Sequence, residues 1–96
     1  MKLVSITASD KPGKKLKAIF KDEESGRTRT THFGAAGMDD YTKTHDTEQR
    51  ARYRARHSKD LKGDATRAGY LAYYVLWGDS TSVSANIAAY KRKFNL

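Results

Sequence analysis

The sequence predicts an α+β domain, a three-stranded antiparallel sheet followed by three helices packed on one face. Three observations carry this reading. Side chains alternate with period two through much of the first third of the chain. The turn Asp10-Lys11-Pro12-Gly13 and the loop Asp22–Gly26, ending in glycine, divide that third into hairpins. Further on, Ala68, Leu71, Ala72, Val75 and Leu76 recur at i, i+3, i+4, i+7 and i+8, the spacing of a helix that buries one stripe.

The first strand is the short β-branched segment Leu3–Thr7. In the second, Lys15–Lys21, the residues Leu16, Ala18 and Phe20 alternate with Lys15, Lys17 and Lys21, and Ile19 on the polar side suggests partial cover there. The third returns as Arg27–Phe33, where threonines favour the pleat and basic residues again alternate. One sheet face should therefore be polar and basic. Phe33-Gly34-Ala35-Ala36-Gly37 closes the sheet, and two glycines so near each other point to unusual backbone angles or a close approach. An anion-binding loop is the sharper alternative, although the spacing fits neither the dinucleotide nor the Walker pattern.

Asp46 is the expected N-cap of the first helix, with Gln49 placed to complete a capping box. That helix, Thr47–His57, is followed by a polar connection, Ser58–Gly63. Asp64 or Thr66 should cap the second helix, and Gly78 suits the position after its end. The third begins at Ser80 or Thr81 and carries Val83, Ile87, Tyr90 and Phe94 as its stripe. Lys91, Arg92 and Lys93 occupy its last turn, where the helix dipole favours positive charge. The whole is read as one domain over residues 1–96, with a sheet part at 1–34 and a helical part at 46–94.

Ninety-six residues leave room for only a modest core. Nineteen Lys and Arg against eleven Asp and Glu give a net charge of +8, which predicts attraction to a polyanion and says nothing about fold. The absence of cysteine excludes disulfides and thiolate zinc sites. No apolar run approaches a membrane span, and Met1–Ser5 lacks the long apolar stretch of a signal peptide. An intracellular protein is expected.

The densest signal is TEQRARYRARH, Thr47–His57, with Arg50, Arg52, Arg54 and Arg56 at alternate positions. At about 100° per residue, Arg50 and Arg54 share one flank and Arg52 and Arg56 a second. Ala51 and Ala55 form a narrow small-residue strip, and Tyr53 and His57 share another edge. Such a helix is expected to lean on the core through its alanines and to hold guanidinium groups toward something anionic. The plainer alternative is a solvated basic helix with no partner.

Other constellations have mainly structural readings. Tyr70, Tyr73, Tyr74 and Trp77 could stack on unpaired bases, but a domain this small needs those rings for its core. His32, His45 and His57 fit no compact metal motif, so neither metal nor cofactor is expected. Asp39, Asp40, Asp46 and Glu48 near His45 are the residue types a Mg²⁺-dependent nuclease would use. Capping and loop roles account for most of them, and no enzymatic activity is expected.

Several segments in order also resemble a known group. They are KPGKKLKAIF, THFGAAGMDDYTKTHD, RARYRARH, YVLW (Tyr74 to Trp77) and the ending IAAYKRKFNL. Together they resemble a family of small uncharacterised basic proteins encoded mainly by large double-stranded DNA viruses of algae and protists. Gly34, Gly37, Tyr41, Thr42, His45, Arg50, Tyr53, Arg56, His57, Trp77, Tyr90 and Phe94 match its pattern. Ala36 and Met38 stand where many relatives have Lys and Tyr, so a phosphate contact from this loop would lack its lysine. The Asn-Trp that relatives often show before the second helix is also missing. The resemblance implies a viral origin, in the infected cell or the virion, and no particular mechanism.

The expected function is non-enzymatic binding of nucleic acid, with duplex DNA as the partner, mainly through the phosphate backbone. Arg50, Arg52, Arg54 and Arg56 would contact phosphates, with Tyr53 and His57 beside them and Lys15, Lys17, Arg27 and Arg29 helping from the sheet. Neutralising about four to six phosphates would give a log–log salt slope of roughly −4 to −5. The alternative is a virion-associated structural or adaptor protein whose basic surface meets an acidic virion or host protein.

Overall fold

The computed structural model describes residues 1–96. Strands β1 (Lys2–Ala8), β2 (Lys14–Lys21) and β3 (Thr28–Ala35) form an antiparallel sheet in the order β1-β2-β3. The register sets Leu16 against Phe33, Ala18 against Ile6 and Thr31, and Phe20 against Leu3. These apolar side chains therefore share one face, where Ala18, Phe20 and Phe33 are fully buried. Leu3 and Ile6 are three residues apart and could not share a face in a regular strand. An irregularity between Leu3 and Ser5 absorbs one residue, re-aims Leu3 inward and leaves Val4 exposed.

The helical part covers that face. It comprises α1 (Tyr41–Thr44), α2 (Thr47–His57), a 3₁₀ turn (Ser58–Asp60), α3 (Ala68–Leu71) running into a π turn (Ala72–Leu76), and α4 (Val83–Phe94). The fold is α+β, with the sheet followed by helices, as the sequence predicts. Leu71, Val75, Leu76, Trp77 and Tyr90 complete the core against the sheet. Fully burying a side chain such as Leu71 or Val75 is worth about 1.5–3 kcal/mol.

Several local features differ from the sequence reading. The second helix does not stay α-helical. Trp77 donates its amide to Ala72 O at 3.1 Å, a bond to the fifth residue back. Tyr73, Val75, Leu76 and Trp77 are all buried, more than one stripe of an α-helix can supply, and the wider turn accommodates them. Asp64 accepts from the amide and hydroxyl of Thr66, tightening the loop ahead of α3 instead of capping the helix. Ser82, rather than Ser80 or Thr81, caps α4, accepting from Ala85 N at 3.3 Å. At the other end Asn95, at φ 54°, terminates α4 in the left-handed conformation. Leu96 O then accepts from Leu3 N at 3.1 Å and joins the chain ends.

Asn86 was not part of the predicted stripe, yet it is 2% exposed. Its amide donates to Val75 O at 2.9 Å and Ser80 O at 2.7 Å, and its oxygen accepts from Ser80 N at 3.0 Å. Gly78 makes room for this side chain, since a Cβ there would lie 2.8 Å from Asn86 Cγ and Oδ1, and it would also meet Tyr74 O at 2.3 Å. No helix is long and apolar enough to cross a membrane.

Candidate nucleic-acid interface

Asp46 caps α2 as expected, its Oδ1 accepting from Glu48 N at 3.0 Å and Gln49 N at 3.1 Å. Gln49 does not reach back to complete the capping box. Its Oε1 accepts from the Thr44 hydroxyl at 2.9 Å, and that hydroxyl accepts the Asp46 amide at 3.3 Å. One turn of helix, α1, precedes this cap and ends at His45, whose φ of 58° redirects the chain into α2.

The rotation of α2 is the main departure from expectation. Ala51 and Ala55 are exposed, so the helix does not lean on the core through them. Its inward stripe is Arg50, Tyr53, Arg54 and His57, spaced i, i+3, i+4 and i+7. The reason lies at the end of the π turn, where backbone carbonyls have no partner within their own helix. Arg50 Nε donates to Gly78 O at 2.6 Å, and Arg54 Nη1 donates to Trp77 O at 3.1 Å. Asp79 accepts from Arg50 and lies 3.6 Å from Arg54. The Arg54 guanidinium also sits 4.4 Å from the centre of the Tyr73 ring. Two of the four arginines thus cap a helix C-terminus, with side chains only 23% and 25% exposed.

Arg52 and Arg56 remain on the outward side. Arg52 is 65% exposed, with Glu48 at a loose 4.0 Å, and Arg56 is exposed with its Nε 3.4 Å from His57 Nε2. Both line a cleft of about 640 Å³ between α2, the π turn and the loop after β3. Tyr53, Ala72, Leu76 and Trp77 give the cleft apolar lining, and Gln49 and His57 also line it. Three rings stack in sequence: His57 on Tyr53 at 4.2 Å, and Tyr53 on Trp77 at 4.3 Å and 7°. Burial raises the Tyr53 phenol above its ordinary range, the Asp60 charge adds to this, and Arg56 opposes it. His57 Nδ1 is 2.7 Å from Asp60 Oδ2, which fixes the ring plane.

The glycines of the loop have separate roles. A Cβ on Gly34 (φ +78°) would meet a Leu76 methyl at 2.7 Å, so this glycine lets the π turn approach β3. Gly37 (φ +81°) has open space around it and serves a turn in which Met38 N donates to Ala35 O at 3.2 Å. Asp40, 4% exposed, lies beside this turn and binds Lys15 Nζ at 2.6 Å while accepting from the Thr42 hydroxyl.

The remaining predicted sheet residues lie elsewhere. Lys17 is on the open sheet face, 3.6 Å from Asp10. Arg29 is 3.7 Å from Asp64, and Arg27 is exposed just before β3. Both sit at the end of β3 opposite Gly34, roughly 20 Å away at the usual rise per residue. The structure therefore joins Arg52, Arg56, Tyr53, His57 and Lys15 at one cleft, and separates Lys17, Arg27 and Arg29 from it. Sequence reasoning missed Gln49 and Asp60 as site residues, and for Trp77 preferred a core role to base stacking. The one available signal was the i, i+4 pair Tyr53 and His57, which marks a packed edge.

No curated protein and no solved structure matches the chain. A family model described as a family of unknown function (DUF5754) matches residues 4–57, from β1 to the last residue of α2. That match spans more than half of the sequence and includes most of the cleft, and the chain belongs to this family.

Proposed function

We propose that this protein is a non-enzymatic nucleic-acid-binding domain that grips the phosphate backbone at the rim of the cleft. The observation that carries the reading is the division of labour on α2. Arg50 and Arg54 are consumed by the fold, whereas Arg52 and Arg56 project beside a concave surface with only long contacts inside the protein, Arg52 to Glu48 at 4.0 Å and Arg56 Nε to His57 Nε2 at 3.4 Å. Guanidinium groups suit phosphate oxygens because their donors form a planar fork. Such contacts position a strand and carry no sequence information. The nearby carboxylates have structural partners: Asp46 caps α2, Asp40 holds Lys15, and Asp39 lies 3.9 Å from Lys43. That engagement favours a binding role over hydrolysis.

The test is a titration of labelled DNA at low salt with the wild type and the Arg52→Ala/Arg56→Ala double variant. Affinity should drop at least about tenfold with the melting temperature unchanged. Equal affinity for both proteins would remove the proposal. A second reading, an adaptor for an acidic protein, draws on the open Lys- and Thr-bearing sheet face and on β1 and β3 both being edge strands. Retention of a defined protein partner after nuclease treatment would favour it.

A further inference from the structure

We infer that the cleft receives an unpaired nucleotide, so that the domain prefers single-stranded to duplex nucleic acid. This rests on the reading that Arg52 and Arg56 contact phosphates, and it adds what lies between those phosphates. Contacts to a duplex backbone need only an exposed basic helix. They give no use to a cavity of about 640 Å³ beneath that helix, within the roughly 300–1,000 Å³ of sites that enclose small molecules.

The lining matches the two halves of a nucleotide. Tyr53, Ala72, Leu76 and Trp77 offer an apolar surface to a base, and Arg52 and Arg56 offer cations to the phosphates on either side of it. The three-ring stack is held in place at both ends. Trp77 is 7% exposed within the core, and His57 is tethered through Asp60. Tyr53 has a ring on each face, so an incoming base can extend the stack at the His57 end, where the side chain is 35% exposed. Gln49 supplies a polar edge. Its oxygen is taken by Thr44, which leaves its amide N–H groups for a base carbonyl or a phosphate. A base paired within a duplex presents neither a free face nor a free Watson–Crick edge to such a site.

Trp77 is the single tryptophan of the chain and lines the cleft, so its emission reports occupancy directly. The full chain would be titrated at low salt with an oligothymidylate of about eight nucleotides, a duplex of equal length, and thymidine monophosphate. Anisotropy of the labelled nucleic acid and Trp77 emission would be followed together. The expected result is saturable quenching of Trp77 by the single strand, bound about tenfold or more tightly than the duplex, with the monophosphate far weaker. Ala72→Met, which narrows the cleft without changing charge, should erase the preference for the single strand. The wild-type comparison decides the matter even if that variant fails to fold. Duplex bound as tightly as single strand, with Trp77 emission unchanged, overturns the inference and leaves the phosphate-binding reading standing. Binding of neither polymer removes both. Tight binding of the monophosphate without the polymers would make this a free-nucleotide site and overturn the strand preference.

Discussion

Arg50 and Arg54 donate to the carbonyls of Gly78 and Trp77, so removing either guanidinium leaves a partly buried helix-end acceptor without its charged donor. Arg54→Ala is therefore expected to cost about 1–3 kcal/mol of stability, read as a fall in melting temperature, while Arg52→Ala should leave the midpoint nearly unchanged. Equal effects at the two positions would mean that the inward pair is not structural. Tyr90 gives a second residue-level expectation. Burial pushes its phenol well above the ordinary value near 10, and its hydroxyl donates to Ala65 O. The folded state favours the neutral form, so this stabilisation is complete below pH about 10 and is lost as the pH rises beyond that toward the folded value. Tyr90→Phe should cost about 1 kcal/mol at neutral pH and make the alkaline decline shallower in a series of melting curves. Tyr53 and Tyr74, whose phenols are also raised by burial, keep that decline from vanishing.

At the scale of elements, the loop after β3 separates two uses of glycine. Gly37→Ala meets only the strain of a positive φ, about 1–2 kcal/mol. Gly34→Ala meets the same strain and a Leu76 methyl, so about 2–5 kcal/mol is expected. Urea midpoints would separate them, and equal losses would show that close packing of the π turn on β3 is unimportant. The sheet was legible in the sequence because Leu16, Ala18 and Phe20 recur at every second position, despite Ile19 on the polar side, and turn residues flank them. The bulge at Val4 was not, because nothing local to Leu3 and Ile6 says that they share a face. The rotation of α2 was hidden by residue type. Arg50, Tyr53, Arg54 and His57 have the spacing of a buried stripe, but two of its members are arginines, which pattern reading counts as polar although their stems pack like hydrocarbon. The π turn and the Lys15–Asp40 pair depend on contacts between distant segments and leave no local pattern. The cleft was therefore visible only as an unexplained density of arginine.

For the whole molecule, the net charge of +8 overstates what a polyanion can meet at one place. Lys15, Lys17, Arg29, Arg50 and Arg54 each face one of the protein's own carboxylates. The cleft rim is left with Arg52 and Arg56, and the segment following α2 adds exposed Lys59 and Lys62. Two to four neutralised phosphates on a single strand correspond to a log–log salt slope of roughly −1.5 to −3, shallower than four arginines and the strand lysines acting together would give. Removing Arg52 and Arg56 should reduce the slope by roughly 1.5. Lys91 and Arg92, on the last turn of α4 and outside the cleft lining, supply the control. Changing both to alanine lowers the net charge by the same two units, so a field generated by the molecule as a whole would respond equally to either pair. Binding localised at the cleft requires the slope to fall for the α2 pair and to hold for the α4 pair. Equal responses would mean that the protein attracts polyanions without a defined site.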